Sequence, residues 1–264
     1  MRSQIFAVAC LVPTLACAQE AAAPWQGFYI GANLGHALGR LGSNFTLPDT
    51  FTGTAGSSPQ ADGALAALPV ATQATSDSGF IGGVQSGYNR QFGGYVAGVE
   101  LDFSSMNLSG SSTVVGFSDP IHLWSDTVET SFDTDWLFSL RPRIGFTLGS
   151  TFFYATAGLA VTRLTLSQTQ TSVDLLAGVP GYSEHVSEEK TKVGWTIGGG
   201  VEVALGQNWT LKGEYLRTDF GHIKLKGLTE GPSAYTGLGI LGDTFAHDFE
   251  LRTSVVRGGL NYHF

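Results

Sequence analysis

The chain has 264 residues, with 22 acidic against 14 basic side chains and a formal net charge of −8. This negative charge argues against nucleic acid as a partner. Both cysteines, Cys10 and Cys17, lie within the first 18 residues, so the rest of the chain has no thiol for a disulfide, a metal site or redox chemistry. The many glycines and aromatic residues favour strands and tight turns.

Residues 1–18 have the pattern of an export signal. A short apolar stretch, residues 5–15, leads to Ala16-Cys17-Ala18, which fits the small-x-small pattern of a cleavage site. We therefore expect a signal peptide over residues 1–18 and one β-barrel domain over residues 19–264. A lipoprotein anchored through Cys17 is the alternative, although Thr14 occupies the position where that signal usually has leucine.

Alternation of apolar and polar residues with a period of two predicts strands along the rest of the chain. At the C-terminus, Leu260, Tyr262 and Phe264 share one face, and Asn261 and His263 share the other. Beyond the signal there is no run of 18 apolar residues, so the sequence contains no transmembrane helix. The predicted strands cover residues 27–38, 78–92, 94–108, 131–148, 151–167, 188–205, 208–226 and 246–264.

The connections between these strands alternate in length. Gly93-Gly94, Gly149-Ser150 and residues 206–208 read as hairpin turns, whereas the other four connections are long and rich in Gly, Ser and Thr. The first of the long ones, residues 40–77, shows no strand pattern. Short turns on one side and long loops on the other are typical of outer-membrane barrels. The sequence therefore predicts an all-β fold, an eight-stranded antiparallel transmembrane up-and-down β-barrel with three short periplasmic turns and four long extracellular loops.

A soluble β-sandwich also alternates, but two features argue against it. Full charges occur mid-strand on the polar face, where a sandwich core would not tolerate them unpaired. The apolar face carries aromatic residues at its ends, as an interfacial girdle would. These are Trp25, Tyr95, Trp136, Trp195, Trp209 and Tyr262.

Several short motifs, taken together in their order and spacing, resemble the small porin-like and immunogenic outer-membrane proteins of alphaproteobacteria. They are Trp25–Gly31, Gly82-Gly83 with Gly87–Asn89, Gly98–Asp102, Arg141–Gly145, Gly194–Gly198, Lys212–Tyr215 and Arg257–Phe264. The resemblance implies a barrel of opacity-protein type in the cell outer membrane. It also implies that Leu260, Tyr262 and the terminal Phe264 form the signal that the barrel-assembly machinery recognises.

Successive side chains of a strand point to opposite faces, so residues at alternate positions share a face; we call this strand parity. Strand parity places four acids and four bases inside the barrel. They are Glu100, Asp102, Glu202, Glu214, Arg141, Arg143, Lys212 and Arg257. An eight-stranded barrel is only wide enough for side chains to fill, so charges held there must be paired. We expect an ionic plug that closes the lumen, and the alternative is a polar pore or proton path.

Arg217 and Arg252 have the parity of the apolar residues on their strands, so both are predicted to face lipid near the outer boundary of the membrane. There they would either bind lipopolysaccharide phosphates or extend to water. The six histidines show neither metal-ligand spacing nor a Ser/His/acid pattern, so we predict no enzyme, no metal and no cofactor.

The leading function is a structural, surface-exposed envelope protein whose partners are outer-membrane lipid and lipopolysaccharide. A small-solute porin is the second hypothesis, and an adhesin that binds through its loops is the third. Acidic residues such as Asp126 and Glu184 fall in the predicted loops and would disfavour polyanionic ligands there. The sequence does not indicate the oligomeric state.

Overall fold

The structure is a computed structural model that describes residues 25–46, 72–117, 124–175, 178–206, 208–230 and 244–264. Every regular element among them is a strand. In chain order the strands are β1 (Gly27–Thr46), β2 (Thr72–Phe92), β3 (Tyr95–Phe117), β4 (Trp124–Leu148), β5 (Thr151–Asp174), β6 (Val179–Gly206), β7 (Trp209–Glu230) and β8 (Thr244–His263). The predicted signal peptide and Cys17 lie outside the described residues and stay predictions.

Each strand pairs antiparallel with its neighbour in the chain, and β8 pairs with β1 to close the barrel. Closure leaves the sheet without an edge strand, which would otherwise be a template for aggregation. The eight-stranded up-and-down barrel predicted from the sequence is thus confirmed. No helix in the described part of the chain is long and apolar enough to cross a membrane.

The three short turns occur where they were predicted, at one end of the barrel. Gly93, Gly149 and Asn208 each have a positive φ, of 62°, 58° and 71°. Glycine reaches this region at little cost and asparagine tolerates it, which is why these residues allow such tight reversals. The first and last described residues, Trp25 and Phe264, both lie at this same short-turn end because the number of strands is even.

The strands continue much further towards the other end than the alternation predicted. The first connection lies between Thr46 and Thr72 rather than covering 40–77, and only residues 175–178 separate β5 from β6. That third connection is therefore not a long loop. Beyond the apolar belt the outward residues become polar, as at Ser105 and Ser109, while the inward Met106 and Leu108 between them are apolar. The apolar face of the strand thus changes from outside to inside, and the backbone ladder continues.

The outer surface carries a belt of exposed apolar side chains. It includes Phe28, Ile30, Leu34, Leu38, Phe80, Val84, Tyr95, Val99, Leu101, Phe103, Ile144, Phe146, Leu159, Val193, Ile197, Leu211 and Val256. A patch that encircles the molecule far exceeds what a monomeric soluble protein exposes. The belt is the surface that the barrel presents to lipid.

Five of the six residues predicted to form the aromatic girdle lie on the outer face. The prediction is wrong for Trp25. Tyr95, Trp195 and Trp209 are exposed on the outside, and Trp136 and Tyr262 lie on the same face. Trp25 is instead fully buried, with its ring centroid 5.3 Å from that of Phe152. Gly27 has a φ of 119°, so strand parity ends there and the preceding tryptophan lies under the lumen.

Candidate functional site

The lumen of the barrel holds all eight charged side chains that parity placed inside. Strand β3 supplies Glu100 and Asp102, β4 supplies Arg141 and Arg143, and β6, β7 and β8 supply Glu202, Lys212, Glu214 and Arg257. None is more than 4% exposed. Four acids meet four bases, so this lumen network carries no net charge when His263 is neutral.

Glu100 lies at the centre of the lumen network. Its Oε1 accepts a hydrogen bond from Arg141 Nη2 at 2.6 Å and one from Lys212 Nζ at 2.7 Å. Its Oε2 accepts from Tyr29 Oη at 2.7 Å and lies 3.3 Å from Arg143 Nη1. Donors from three different strands, β1, β4 and β7, therefore converge on one carboxylate.

Glu214 on β7 and Asp102 on β3 join the network through Arg257 on β8. Arg257 Nη2 and Nε donate to Glu214 Oε2 at 2.7 and 2.9 Å, while Arg257 Nη1 donates to Asp102 Oδ2 at 2.7 Å. Arg141 Nη1 reaches Glu214 Oε1 at 3.1 Å, so Arg141 bridges Glu214 and Glu100. Charge-assisted hydrogen bonds of this kind are stronger than neutral ones, especially away from water.

Glu202 lies nearest the short-turn end. Its carboxylate is 3.2 Å from Arg143 Nη1, accepts from Asn261 Nδ2 at 2.6 Å and also accepts from Thr210 Oγ1. His263 Nε2 lies 3.5 Å away, consistent with its predicted inward position. Glu202 thus ties the last strand of the barrel to β4 and β7.

Neutral polar residues complete the network, and the sequence analysis did not predict them. Asn33 donates to Asp102 at 2.9 Å, Asn89 accepts from Arg143 Nε at 2.9 Å, and Tyr154 donates to Glu214 at 2.9 Å. All three are inward and buried. The same period-two parity that located the charges would have located them, because they lie on the inward faces of β1, β2 and β5.

An aromatic floor closes the lumen at the short-turn end. The Arg143 guanidinium lies 4.5 Å from the ring centroid of Tyr29, 5.5 Å from that of Phe152 and 5.3 Å from that of Tyr154. Trp25 packs on Phe152. Cation–π contacts in a desolvated site stabilise the cation, so the floor both fills space and holds Arg143 in place.

An apolar layer fills the lumen on the other side of the ionic network, towards the outer end. Its members are Ala37, Leu41, Ile81, Met106, Leu108, Phe132, Leu137, Ala160, Leu164, Leu166, Leu216, Phe220, Ile223, Leu225, Phe249, Leu251 and Val255, none more than 3% exposed. This layer was not predicted from the sequence. Above it lie acids that had been assigned to loops: Asp126 is fully buried, and Glu184 Oε1 lies 2.9 Å from His247 Nε2.

The remaining sequence-predicted residues lie on the outer surface. Leu260 and Phe264 are 42% and 75% exposed, and Tyr262 packs against Trp209 with ring centroids 5.2 Å apart. Their role in assembly stays a prediction. Arg217 and Arg252 face outwards, as parity predicted. Within the described ranges, no group of three or more His, Cys, Asp or Glu side chains forms a candidate metal site.

A closed barrel with an apolar exterior and a buried, charge-balanced interior defines an integral outer-membrane protein. The family model for the outer membrane protein beta-barrel domain matches residues 7–264, and the chain belongs to this family. It is 32% identical over 244 residues to the 31 kDa outer-membrane immunogenic protein of Brucella melitensis, covering 91% of this chain and 84% of the relative. It is also 30% identical over 208 residues to a 22 kDa outer membrane protein of Rhizobium leguminosarum bv. viciae, covering 77% and 70%.

Among solved structures, the barrel is similar to Neisserial surface protein A, with a TM-score of 0.36 and 12% identity. That match covers 90% of this chain and 98% of the other. The relatives confirm the resemblance drawn from the sequence and place the protein in the cell outer membrane. They are named as outer-membrane proteins and not as enzymes.

Proposed function

We propose that the protein is a structural, non-conducting barrel of the outer membrane that presents its outer end at the cell surface. The observation that carries this proposal is the lumen network, in which every charge of one sign contacts at least one of the other. A channel that passes small solutes needs water along its axis, whereas these charged side chains are at most 4% exposed. The ionic plug is favoured over a pore or proton path for that reason.

The layered filling of the lumen supports the same proposal. The aromatic floor, the lumen network and the apolar layer succeed one another along the barrel axis, and each layer contains side chains from several strands. Fixed charge pairs that join strands distant in the chain also define the strand register, because a one-residue slip would turn every inward charge towards lipid. The filling thus serves the barrel itself and leaves little room for cargo.

The extended strands support the surface role. Outward residues beyond the belt are polar, among them Ser105, Ser109, Ser131 and Thr165. This polar stretch carries the connecting segments away from the membrane surface, where antibodies or host molecules reach them. Similarity to a relative named as immunogenic supports this surface exposure. The same feature favours an adhesin as a second candidate, since it presents the connections as a binding surface.

A gene deletion tests the envelope role. We expect cells without the protein to admit an apolar dye such as N-phenyl-1-naphthylamine faster and to become more sensitive to SDS. Uptake of small sugars should be unchanged, because the barrel offers no path for them. The wild-type gene should restore the barrier.

An intact barrier combined with slower sugar uptake in the deletion strain would contradict the structural role and support a porin. If the deletion altered only attachment to host cells, the adhesin would replace the structural proposal.

A further inference from the structure

Three arginines converge on the outside of β1, β7 and β8 at the outer margin of the apolar belt. Arg40 lies one outward position beyond Leu38, and Arg217 lies one outward position beyond Tyr215. With a rise near 3.4 Å per residue and a tilt near 40°, Arg40 lies roughly 30 Å above Phe28 on the same strand. The apolar band of such barrels is about 25 Å tall, so this position reaches the headgroups of the outer leaflet.

The strand register brings these side chains together. Arg40 is the direct cross-strand partner of Arg252, and Arg217 is the partner of Ser254, two positions from Arg252 on the same face. Directly opposed side chains have Cβ atoms about 5 Å apart, and diagonal neighbours lie about 7–8 Å apart. All three arginines line one cleft of about 550 Å³ with Leu38, Ser78 and Ser254. Of the three, strand parity in the sequence predicted only Arg217 and Arg252 as arginines that face lipid near the outer boundary of the membrane.

The charges around the cleft differ from one arginine to the next. Arg252 is held by Asp219, at 3.1 Å, and by Glu250. Arg40 and Arg217 form no ion pair with any residue that the structure describes. Like charges placed directly opposite each other destabilise a sheet. Arg252 has its counter-charges in Asp219 and Glu250, so Arg40 and Arg217 are the two guanidinium groups left to bind an anionic ligand.

We propose that this arginine cleft binds a phosphate group of lipopolysaccharide, with Arg40 and Arg217 as the two donors. Guanidinium groups bind phosphate bidentately, and this cleft opens at the height where the lipid A phosphates lie. The apolar belt directly below, including Leu34 and Leu38, provides a surface for the acyl chains. Asp77 also lines the cleft and opposes an anion there.

The test measures binding of purified, folded barrel to lipopolysaccharide, with folding confirmed by faster gel migration of unboiled samples. We expect the Arg40→Gln, Arg217→Gln double variant to bind about tenfold more weakly, since hydrogen bonds to charged groups are lost. Asp77→Asn should bind more tightly, because it removes a like charge. Arg163→Gln is the matched control: it alters an outward arginine at the outer margin of β5, where Glu189 lies 3.4 Å away, and should change nothing.

Two further arms identify the source of the phosphate. Lipopolysaccharide whose lipid A phosphates have been removed should bind wild type and the double variant equally, and millimolar inorganic phosphate should not displace the intact lipid. Displacement by inorganic phosphate would show a site for the free anion and overturn the lipid assignment. Equal weakening by Arg163→Gln, or unchanged binding in the folded double variant, would overturn the site and leave arginines that merely extend to water.

Discussion

Replacing Arg141 with alanine is expected to destabilise the folded barrel by about 3–5 kcal/mol. Arg141 is fully buried and bridges two carboxylates, with Nη2 2.6 Å from Glu100 and Nη1 3.1 Å from Glu214. The substitution leaves the lumen with four acids and three bases, and it opens a cavity where the guanidinium had been. The measurement is equilibrium unfolding in guanidinium chloride for barrels held in lipid vesicles.

Arg163→Ala is the control for this prediction. Arg163 forms an ion pair with Glu189 on the outer surface, where the two side chains are 50% and 59% exposed. An exposed pair of this kind contributes about 0–1 kcal/mol. A cost for Arg141→Ala within that same range would mean that water enters the lumen and screens its charges, which contradicts a dry plug.

The second large effect is expected at Glu100 and Lys212. Glu100→Gln removes the charge at the centre of the lumen network and leaves its cations in excess, at a cost of about 3–5 kcal/mol. Lys212→Met should be of similar cost, because Lys212 Nζ lies 2.7 and 2.8 Å from the two carboxylate oxygens of Glu100. The double variant restores charge balance, so its cost should fall below the sum of the single costs by about 1–3 kcal/mol.

These three variants form a double-mutant cycle with the wild type, and the same cycle on the exposed pair Arg163 and Glu189 serves as the reference. There the interaction free energy between the two side chains is expected to be below about 1 kcal/mol. Additive costs for Glu100→Gln and Lys212→Met would contradict a network in which these two charges depend on each other. Unboiled gel migration identifies any variant that fails to close. For such a variant Glu100→Asp, which keeps the charge but shortens the side chain, provides a milder substitution for the cycle.

The inward charges could be predicted from the sequence because side chains in a strand alternate with a period of two. Once Leu101 and Phe103 are assigned to the lipid face, Glu100 and Asp102 must face the lumen. The same reasoning applied to Leu140 and Pro142 places Arg141 inside.

The partners of these charges could not be predicted in this way. Glu100 meets Arg141 as its direct cross-strand partner, but it also meets Lys212 across the lumen, 112 positions along the chain. Contacts across the lumen depend on the tilt and stagger of the closed barrel, which parity does not specify.

The outer ends of the strands and the buried position of Trp25 were not predicted, because in both places the alternation of the sequence changes. The predicted strands were ended where the outward face stops being apolar, and on β3 this happens at Ser105, where the apolar residues move to the inward face. Trp25 precedes Gly27, whose positive φ interrupts the extended backbone, and parity cannot be carried across that residue. The apolar layer was not predicted because its inward Leu and Phe residues lie beyond the belt. In the sequence they resemble lipid-facing residues, but they occupy the alternate positions that face the lumen.

Single-channel recording in a planar bilayer tests the central claim most directly. Wild-type barrel, inserted and shown to be folded, should give no steady conductance steps in molar potassium chloride, because three successive layers of side chains fill its lumen. A variant that thins all three layers, Trp25→Ala with Arg143→Ala and Phe249→Ala, serves as the comparison and should show flickering openings. Steady, large and uniform conductance from the wild-type protein would contradict the plugged barrel and make the protein a porin.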